Sequence, residues 1–253
     1  MDYLSHLLHP DVQRGSFKYH PKFQVLGITH LCYADGLLLF SAAQPDSISF
    51  LMVGLGKFRE ASSLTVSNHK SVIFFCNTNL RTKRDILQRL QFSEGSLPVT
   101  YLGLPLVTKR LSKLECAPLL EWLTARANSW ISKALSFAER LQLIKATLAS
   151  MQIYWCSMFL LPVSIVKECE RVLRKFLWGG NDRGNVKWSM VSKPEKEGGL
   201  GIKDMKTWNK ALLLKQVWNV LEDQSLWAKW CHAHLIKKSN FWTINSQGLH
   251  SWS

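Results

Sequence analysis

The residue type best suited to chemistry in this sequence is a carboxylate in a tight turn. Tyr33-Ala34-Asp35-Gly36 lies inside VLGITHLCYADGLLLFS (25–41), where two apolar runs flank Asp35-Gly36. Asp-Gly between apolar runs predicts a β-hairpin, because both turn positions favour positive φ. Rigid strands would fix the carboxylate while the turn keeps it exposed, an arrangement that can present an acid to Mg²⁺. An ordinary hairpin turn without chemistry is the alternative, and these four residues alone favour that alternative.

The net charge is large and unevenly distributed. The chain carries +14 over 253 residues. Residues 1–80 hold six Lys or Arg against five Asp or Glu, residues 81–215 hold 23 against 11, and residues 216–253 hold three against two. A basic surplus confined to one stretch favours a polyanionic partner, because each neutralised phosphate releases counterions. A solvated, lysine-rich helical surface is the alternative, and membranes and acidic proteins also attract such charge.

The cysteines and the apolar segments indicate where the protein resides. The six cysteines are scattered without a CxxC pair, several of them inside apolar runs, where a reduced thiol behaves as a small hydrophobe. The N-terminal sequence MDYLSHLLHP has no basic region followed by an apolar stretch. The most apolar window, 148–166, contains Gln152, Ser157 and Pro162, and is too short and too polar for a membrane span. We expect a soluble intracellular protein, in the nucleus or cytoplasm, with no membrane partner.

The pattern along the chain changes at about residue 110. Up to that point, short apolar runs and turn signals alternate with helical spacing, which predicts mixed α/β structure. From about residue 113 only helical periodicity remains, including a helix that begins at Pro162 and ends at Gly179-Gly180. Two further helices are expected over roughly 204–221 and 224–236. Two other patterns carry little chemistry, since Gly54-Leu55-Gly56 lies inside a helical pattern and Cys231-His232-Ala233-His234 has no second ligand pair for zinc.

Eight segments, in order, resemble the reverse transcriptases of plant non-LTR retrotransposons of the long interspersed element type. The resemblance covers nearly the whole chain, and several of the strings are specific. The segments are FKYHP (17–21), ITHLCYAD (28–35), LTVSNHKS (64–71), YLGLPL (101–106), RLQLIK (140–145), FLWGG (176–180), EGGLGI (197–202) and TWNKA (207–211).

The resemblance implies an α+β fold: a partial polymerase palm, made of a β-hairpin plus helices, followed by an all-helical thumb and a post-thumb region. The implied domains are the partial palm at 1–110, the helical thumb at 111–180 and the post-thumb connection and helices at 181–253. The implied function is that of a retrotransposon fragment of an RNA-directed DNA polymerase. Its partner would be an RNA or DNA primer–template duplex, bound weakly and without sequence preference.

The resemblance also assigns roles to individual residues. Asp35 would be the remnant of the catalytic, metal-binding acid, and Lys70 would lie near the phosphates of an incoming nucleotide. Tyr101 and Gly103 belong to the hairpin at the palm–thumb junction that helps to hold the primer end. Basic thumb residues would follow the backbone of a duplex through phosphate contacts, which need no base reading; they are Lys133, Arg140, Lys145, Arg171, Arg174 and Lys175. A solvated turn lysine at 70 and a plain solvated thumb surface remain open as alternatives.

Two departures from the family pattern bear on activity. The second aspartate of the motif is replaced here by Gly36, and the first catalytic aspartate of the family would precede Met1. Two-metal phosphoryl transfer needs several carboxylates to hold two cations about 3.5–4 Å apart. Asp46 and Glu60, the nearest other acids, belong to the next predicted helix. We therefore expect Mg²⁺, the cofactor of the intact family, not to bind stably here, and the chain alone to be inactive as a polymerase.

Three functional hypotheses remain after this reasoning. The first is an inactive polymerase fragment, a pseudoenzyme, that keeps nucleic-acid binding through its thumb. The second is a non-enzymatic interaction module, or a decayed gene product without function, whose hairpin would have an uncovered apolar face. The third is a fragment that completes an active enzyme with a separate N-terminal reverse transcriptase half.

Overall fold

The computed structural model describes residues 2–9, 17–34, 36–90, 92–107, 109–131, 134–179, 186–222, 224–237 and 240–243. Helices and short strands both occur, so the predicted mixed α+β class is confirmed. The strands all precede residue 107, and the described part of the chain beyond that point is helical, as the periodicity predicts. The strands are β1 (His30–Tyr33), β2 (Gly36–Leu39), β3 (Val72–Ile73), β4 (Ser93–Glu94), β5 (Val99–Tyr101) and β6 (Leu104–Leu106).

The helices follow the predicted apolar spacing closely. Two of them continue through single π-helical turns, at Ile144–Leu148 and His232–Ile236. The α-helices are α1 (Asp2–Leu7), α2 (Pro45–Ser62), α3 (Leu80–Leu90), α4 (Ala117–Ile131), α5 (Phe137–Leu143), α6 (Ala149–Met158), α7 (Val163–Leu177), α8 (Trp188–Val191), α9 (Met205–Leu221) and α10 (Leu226–Cys231).

The described residues form two compact units. Unit 1 comprises those up to Leu102 together with those from Leu226 onwards, and unit 2 comprises those from Gly103 to Ser225. The boundary falls in the turn between β5 and β6. Helix α10 belongs to unit 1, where the Trp230 indole N–H donates to the Lys22 carbonyl at 3.1 Å. The predicted domains 1–110, 111–180 and 181–253 stay a prediction about functional regions.

Unit 1 contains two strand pairs and a small apolar core. β1 and β2 are antiparallel, with His30 opposite Leu39 and Tyr33 opposite Gly36. β3 and β4 are parallel, with α3 between them along the chain, the connection that parallel strands require. The core joins α1 to α2, and Leu37 and Leu39 of β2 pack against it. The apolar face of the hairpin is therefore partly covered, although Leu31 and Tyr33 of β1 are exposed. The core residues are Leu4, Leu8, Leu51 and Leu55.

Unit 2 is built around α7. Its sequence VSIVKECERVLRKFL places apolar residues at i, i+3, i+4 and i+7, and these form the buried face. Helices α4, α5 and α6 contribute to the same core, as do Trp188 of α8 and Met205 of α9. Cys116, Cys156 and Cys169 are all buried in this core, and burial raises the pKa of the Cys156 thiol to about 12. These thiols therefore act as small hydrophobes, as predicted.

The end of α6 is capped by a side chain from a distant helix. Asn209 of α9 is buried, and its Oδ1 accepts from the Leu161 backbone N–H at 3.0 Å. Its Nδ2 group donates to the carbonyls of Cys156 and Phe159, each at 2.7 Å. The last carbonyls of a helix have no partner within the helix, so this amide supplies what the end of α6 lacks. Asn209 thus fixes α9 against the connection between α6 and α7.

Among the helices of the described residues, none combines the length and the apolar character needed to cross a membrane.

Candidate nucleic-acid interface

The hairpin that carries the predicted acid forms, but its turn lies one residue earlier than expected. Because Tyr33 pairs with Gly36, only positions 34 and 35 lie between the strands. Ala34 has the positive φ, 51°, whereas Gly36 is the first residue of β2 and does not occupy the left-handed region. The prediction of an Asp35-Gly36 turn was wrong in this detail. Asp35 itself lies outside the described residues.

The hairpin is held by a backbone hydrogen bond beyond the strand ends and by contacts of the His30 ring. The Phe40 N–H donates to the Thr29 carbonyl at 2.8 Å, which extends the pairing beyond the strand ends. The His30 ring lies 3.0 Å from the Ser5 hydroxyl of α1 and 3.0 Å from the Thr29 hydroxyl. Burial lowers the pKa of His30, so the neutral ring is the form that the folded protein favours.

Two of the predicted functional segments meet in unit 1. A Cβ atom added to Gly36 would lie 3.3 Å from Tyr101 Cε2 and 3.5 Å from the Tyr101 hydroxyl. The aromatic ring of β5 therefore packs over the first residue of β2, although 65 positions separate the two residues in the sequence. Leu102 and Gly103 follow with φ of 52° and 78°, and the open space beside Gly103 shows that its backbone is accessible.

Lys70 lies in a turn that precedes β3. Its backbone N–H donates to the Ser67 carbonyl at 3.2 Å, and its side chain is exposed. This position is compatible with a phosphate contact and equally with a solvated turn lysine.

Arg140 and Lys145 are occupied by contacts within unit 2. The Arg140 guanidinium lies directly against Gly179, which has a φ of 70° just after the C-terminus of α7, where a cation is favourable. The Lys145 Nζ lies 2.5 Å from Glu195 Oε1, and this hydrogen bond lowers the pKa of the Glu195 carboxyl. Both residues therefore connect α5 and its π-helical extension to loops of the same unit.

Arg174 and Lys175 are neighbours on α7 but have different surroundings. The Arg174 guanidinium lies over the Trp188 ring at 5.9 Å from its centroid, and the Arg174 Nε is buried without a hydrogen-bond partner. Lys175 is exposed. The cation of Arg174 therefore stabilises the packing of α8, whereas Lys175 faces solvent.

One basic residue that sequence reasoning missed completes an exposed row on α7. Lys167, Arg171 and Lys175 are all exposed and spaced four residues apart, so they share one helix face. The row spans about 12 Å at a rise of about 1.5 Å per residue. Arg171 also bonds Glu168 at 3.0 Å, an exposed pair that water screens. We call these three residues the α7 row. The spacing of the α7 row is visible in the sequence, but Lys167 is not among the predicted basic thumb residues.

Lys133, also predicted to bind nucleic acid, lies outside the described residues. Of the predicted residues that the structure describes, Tyr101 packs against the hairpin. Arg140, Lys145 and Arg174 make contacts within unit 2. Lys70 and Lys175 are exposed.

The Mg²⁺ that the resemblance implies does not fit the residues that the structure describes. None of the described His, Cys, Asp and Glu side chains come together in a group of three or more that could hold a metal ion. Position 36 offers no carboxylate, and the Tyr101 ring occupies the space beside it. Asp46 belongs to the first turn of α2, and Glu60 to its last turns.

Comparisons with known proteins show a similarity over about half of the chain. A scan against protein-family models finds no match. The chain is 42% identical over 129 residues to a protein of Arabidopsis thaliana named as a ribonuclease H protein. The aligned region covers 49% of this chain and 21% of the relative, so the chain spans about a fifth of the length of that protein.

Proposed function

We propose that this chain is a reverse transcriptase fragment of non-LTR retrotransposon type, running from the middle of the palm through the thumb. It binds a primer–template duplex through phosphate contacts and does not polymerise DNA by itself. The observation that carries the proposal is the contact between Tyr101 and Gly36, because it joins in space two segments that were assigned to the catalytic hairpin and to the primer-holding hairpin. The name of the Arabidopsis relative, a ribonuclease H protein, describes a protein that processes nucleic acid, and this supports a function on nucleic acid for the present chain.

The contacts within unit 2 favour a smaller set of phosphate-binding residues than the predicted one. Arg140, Lys145 and Arg174 already have partners within unit 2, so moving them to a phosphate would break a packing contact. The α7 row has no such constraint beyond one screened surface pair. Its length of about 12 Å matches roughly three to four steps of 3.4 Å along one strand of a duplex. We therefore assign backbone binding to Lys167, Arg171 and Lys175.

The assignment is tested by the salt dependence of duplex binding. Fluorescence anisotropy with a labelled primer–template duplex, from 50 to 300 mM salt, gives the slope of log K against log salt. Replacing the three residues of the α7 row with alanine should reduce that slope by about 2.7, since each lost phosphate contact removes about 0.9. The matched control removes the same charge from α9, through alanine at the exposed Lys206, Lys210 and Lys215.

The outcomes of this experiment distinguish binding through the α7 row from attraction by diffuse charge. A large fall for the α7 row and a small one for α9 supports the assignment. Equal falls mean that diffuse charge, not a built surface, attracts the duplex. Absence of binding at 50 mM salt refutes nucleic-acid binding altogether. Primer extension by the purified chain alone would refute the second half of the proposal.

A further inference from the structure

Helix α9 buries one face in unit 2 and carries apolar side chains on the opposite face as well. Its buried residues are Met205, Asn209 and Val220. The apolar residues of the opposite face are exposed or half-exposed and are spaced at i, i+3, i+4 and i+7, so they form one line along the helix. We call them the α9 stripe: Leu214, Val217, Trp218 and Leu221.

The α9 stripe is a contiguous apolar surface that the described residues leave open. Leu214 is 67% exposed and Trp218 is 61% exposed. The Trp218 indole N–H donates to Glu222 Oε1 at 2.8 Å, so the polar atom of the ring is satisfied at the end of its own helix. The rest of the ring presents carbon atoms to solvent. Contiguous apolar surface of this kind marks an interaction site.

Three exposed lysines lie beside the α9 stripe, and the helix contains no acid to balance them. Steps of four residues back from Leu214 lead to Lys210 and then to Lys206, so these two cations continue the line of the stripe towards the helix N-terminus. Lys215 lies to one side of the stripe. A partner that covers the whole face therefore meets positive charge at one end, where carboxylates are favoured.

The charge and the size of the face argue against two other occupants. A second copy of this chain is disfavoured, because the chain carries +14 and a large net charge opposes self-association. Four side chains also supply far less than the roughly 800 Å² that each partner of a stable interface buries. A nucleic acid is disfavoured because Leu214 and Val217 have no ring on which a base can stack, and Glu222 places a carboxylate beside Trp218.

We propose that the α9 stripe binds an amphipathic helix of a partner protein, and that the partner's carboxylates pair with the lysines beside the stripe. Apolar side chains of the partner, themselves spaced at i, i+3, i+4 and i+7, pack against the stripe, as in other helix-in-groove complexes. The proposal does not depend on duplex binding, which we assign to the α7 row. Unit 2 then has two surfaces that take partners of different chemistry.

The test is fluorescence anisotropy of a labelled peptide with the full chain at low salt. The peptide is a designed helix of about 18 residues, with leucines at the stated spacing in one half and glutamates on the same face in the other half. A second peptide has lysine in place of every glutamate. The acidic peptide should bind with a Kd of about 10–50 μM, and the lysine peptide at least about tenfold more weakly.

Substitutions in the stripe have matched controls elsewhere in unit 2. Trp218→Ala should weaken binding of the acidic peptide by at least about tenfold, because large aromatic anchors dominate such interfaces. Trp122→Ala, at an α4 residue that is 56% exposed, should change the affinity by less than about twofold. Leu214→Gln should also weaken binding by about tenfold. This variant leaves the bond between Trp218 and Glu222 in place, so its effect cannot come from a released carboxylate.

The contribution of charge is measured with two variants that each lose three cations. Alanine at Lys206, Lys210 and Lys215 should weaken binding of the acidic peptide by at least about tenfold, whereas alanine at the α7 row should weaken it by less than about threefold. In the duplex assay the order of the two variants is reversed. The two proposals therefore fail independently.

Five results overturn the proposal. Three concern the peptides: no binding of the acidic peptide, equal binding of the acidic and lysine peptides, or equal affinities of Trp218→Ala and Trp122→Ala. The fourth is a dimer in sedimentation equilibrium that Trp218→Ala dissociates, which would make a second copy the occupant. The fifth is binding to phosphatidylserine vesicles that Trp218→Ala abolishes while the peptide does not bind, which would make a membrane the occupant.

Discussion

Replacement of Asn209 by alanine should be among the most destabilising single changes in unit 2. The side chain is 2% exposed and makes three hydrogen bonds, one from the Leu161 N–H and two to the carbonyls of Cys156 and Phe159. At about 1 kcal/mol net for each bond, the loss is about 3 kcal/mol. The Leu161 N–H and the carbonyls of Cys156 and Phe159 would then be left without this partner at the end of α6. The cost of leaving such groups unsatisfied adds to the loss of about 3 kcal/mol.

The assay is urea denaturation followed by far-ultraviolet circular dichroism. With a slope of about 2 kcal/mol per molar urea, a loss of about 3 kcal/mol moves the midpoint of the unit 2 transition down by about 1.5 M. Asn209→Asp should be no better than alanine, because it keeps the acceptor but removes both donors and adds a buried charge. The matched control is Asn128→Ala on the exposed face of α4, where alanine is the better helix former.

Equal urea midpoints for Asn209→Ala and its control Asn128→Ala would refute this reasoning. If Asn209→Ala and Asn128→Ala unfold at the same urea concentration, the three hydrogen bonds contribute nothing net, and α6 ends where it does for another reason. A change in slope without a change in midpoint would also contradict it, since the argument concerns contacts in the folded state.

Three further outcomes follow from other parts of the molecule. Burial lowers the pKa of His30 in the folded protein, so below about pH 6.5 the unfolded chain binds more protons than the folded one. Unit 1 should therefore lose thermal stability as the pH falls through that value. The substitution His30→Gln should flatten the plot of melting temperature against pH. Gly199→Ala should destabilise the loop before α9, because the new Cβ would overlap the Lys193 carbonyl. Gly56→Ala has open space in α2 and should raise the free energy of unfolding by about 0.5–1 kcal/mol. Thermal unfolding of the two variants should therefore shift in opposite directions. If a separately expressed N-terminal reverse transcriptase half restores primer extension, Asp35→Asn should abolish it, and unchanged extension would exclude a catalytic role for that acid.

Helices were more predictable from the sequence than contacts. The apolar spacing of α7 fixed both its limits and its buried face, because an amphipathic pattern depends only on neighbours within two turns. The hairpin was also predictable, but its turn was displaced by one residue. Ala34 accepts the positive φ that we had reserved for glycine, and the register is set instead by Tyr33 opposite Gly36.

The partners of the basic residues could not be predicted. Lys145 and Glu195 are 50 positions apart, and nothing in the local pattern indicates that they pair. The same holds for Tyr101 and Gly36, whose contact depends on how β5 is placed against the hairpin. The sequence shows a surplus of basic residues over 81–215, but it does not distinguish the cations that contact loops of unit 2 from the cations that face solvent.

The discontinuity of unit 1 has a consequence for synthesis on the ribosome. Its residues up to Leu102 are translated first, yet the helix containing Trp230, which bonds Lys22, follows only after the whole of unit 2. At about 5–20 residues per second, the intervening stretch takes between about 6 and 25 s to emerge. During that interval the N-terminal part of unit 1 lacks its last described helix, whereas the described residues of unit 2, Gly103 to Ser225, are all synthesised before that helix and can begin to fold first. A chaperone that binds the early intermediate would therefore act on unit 1.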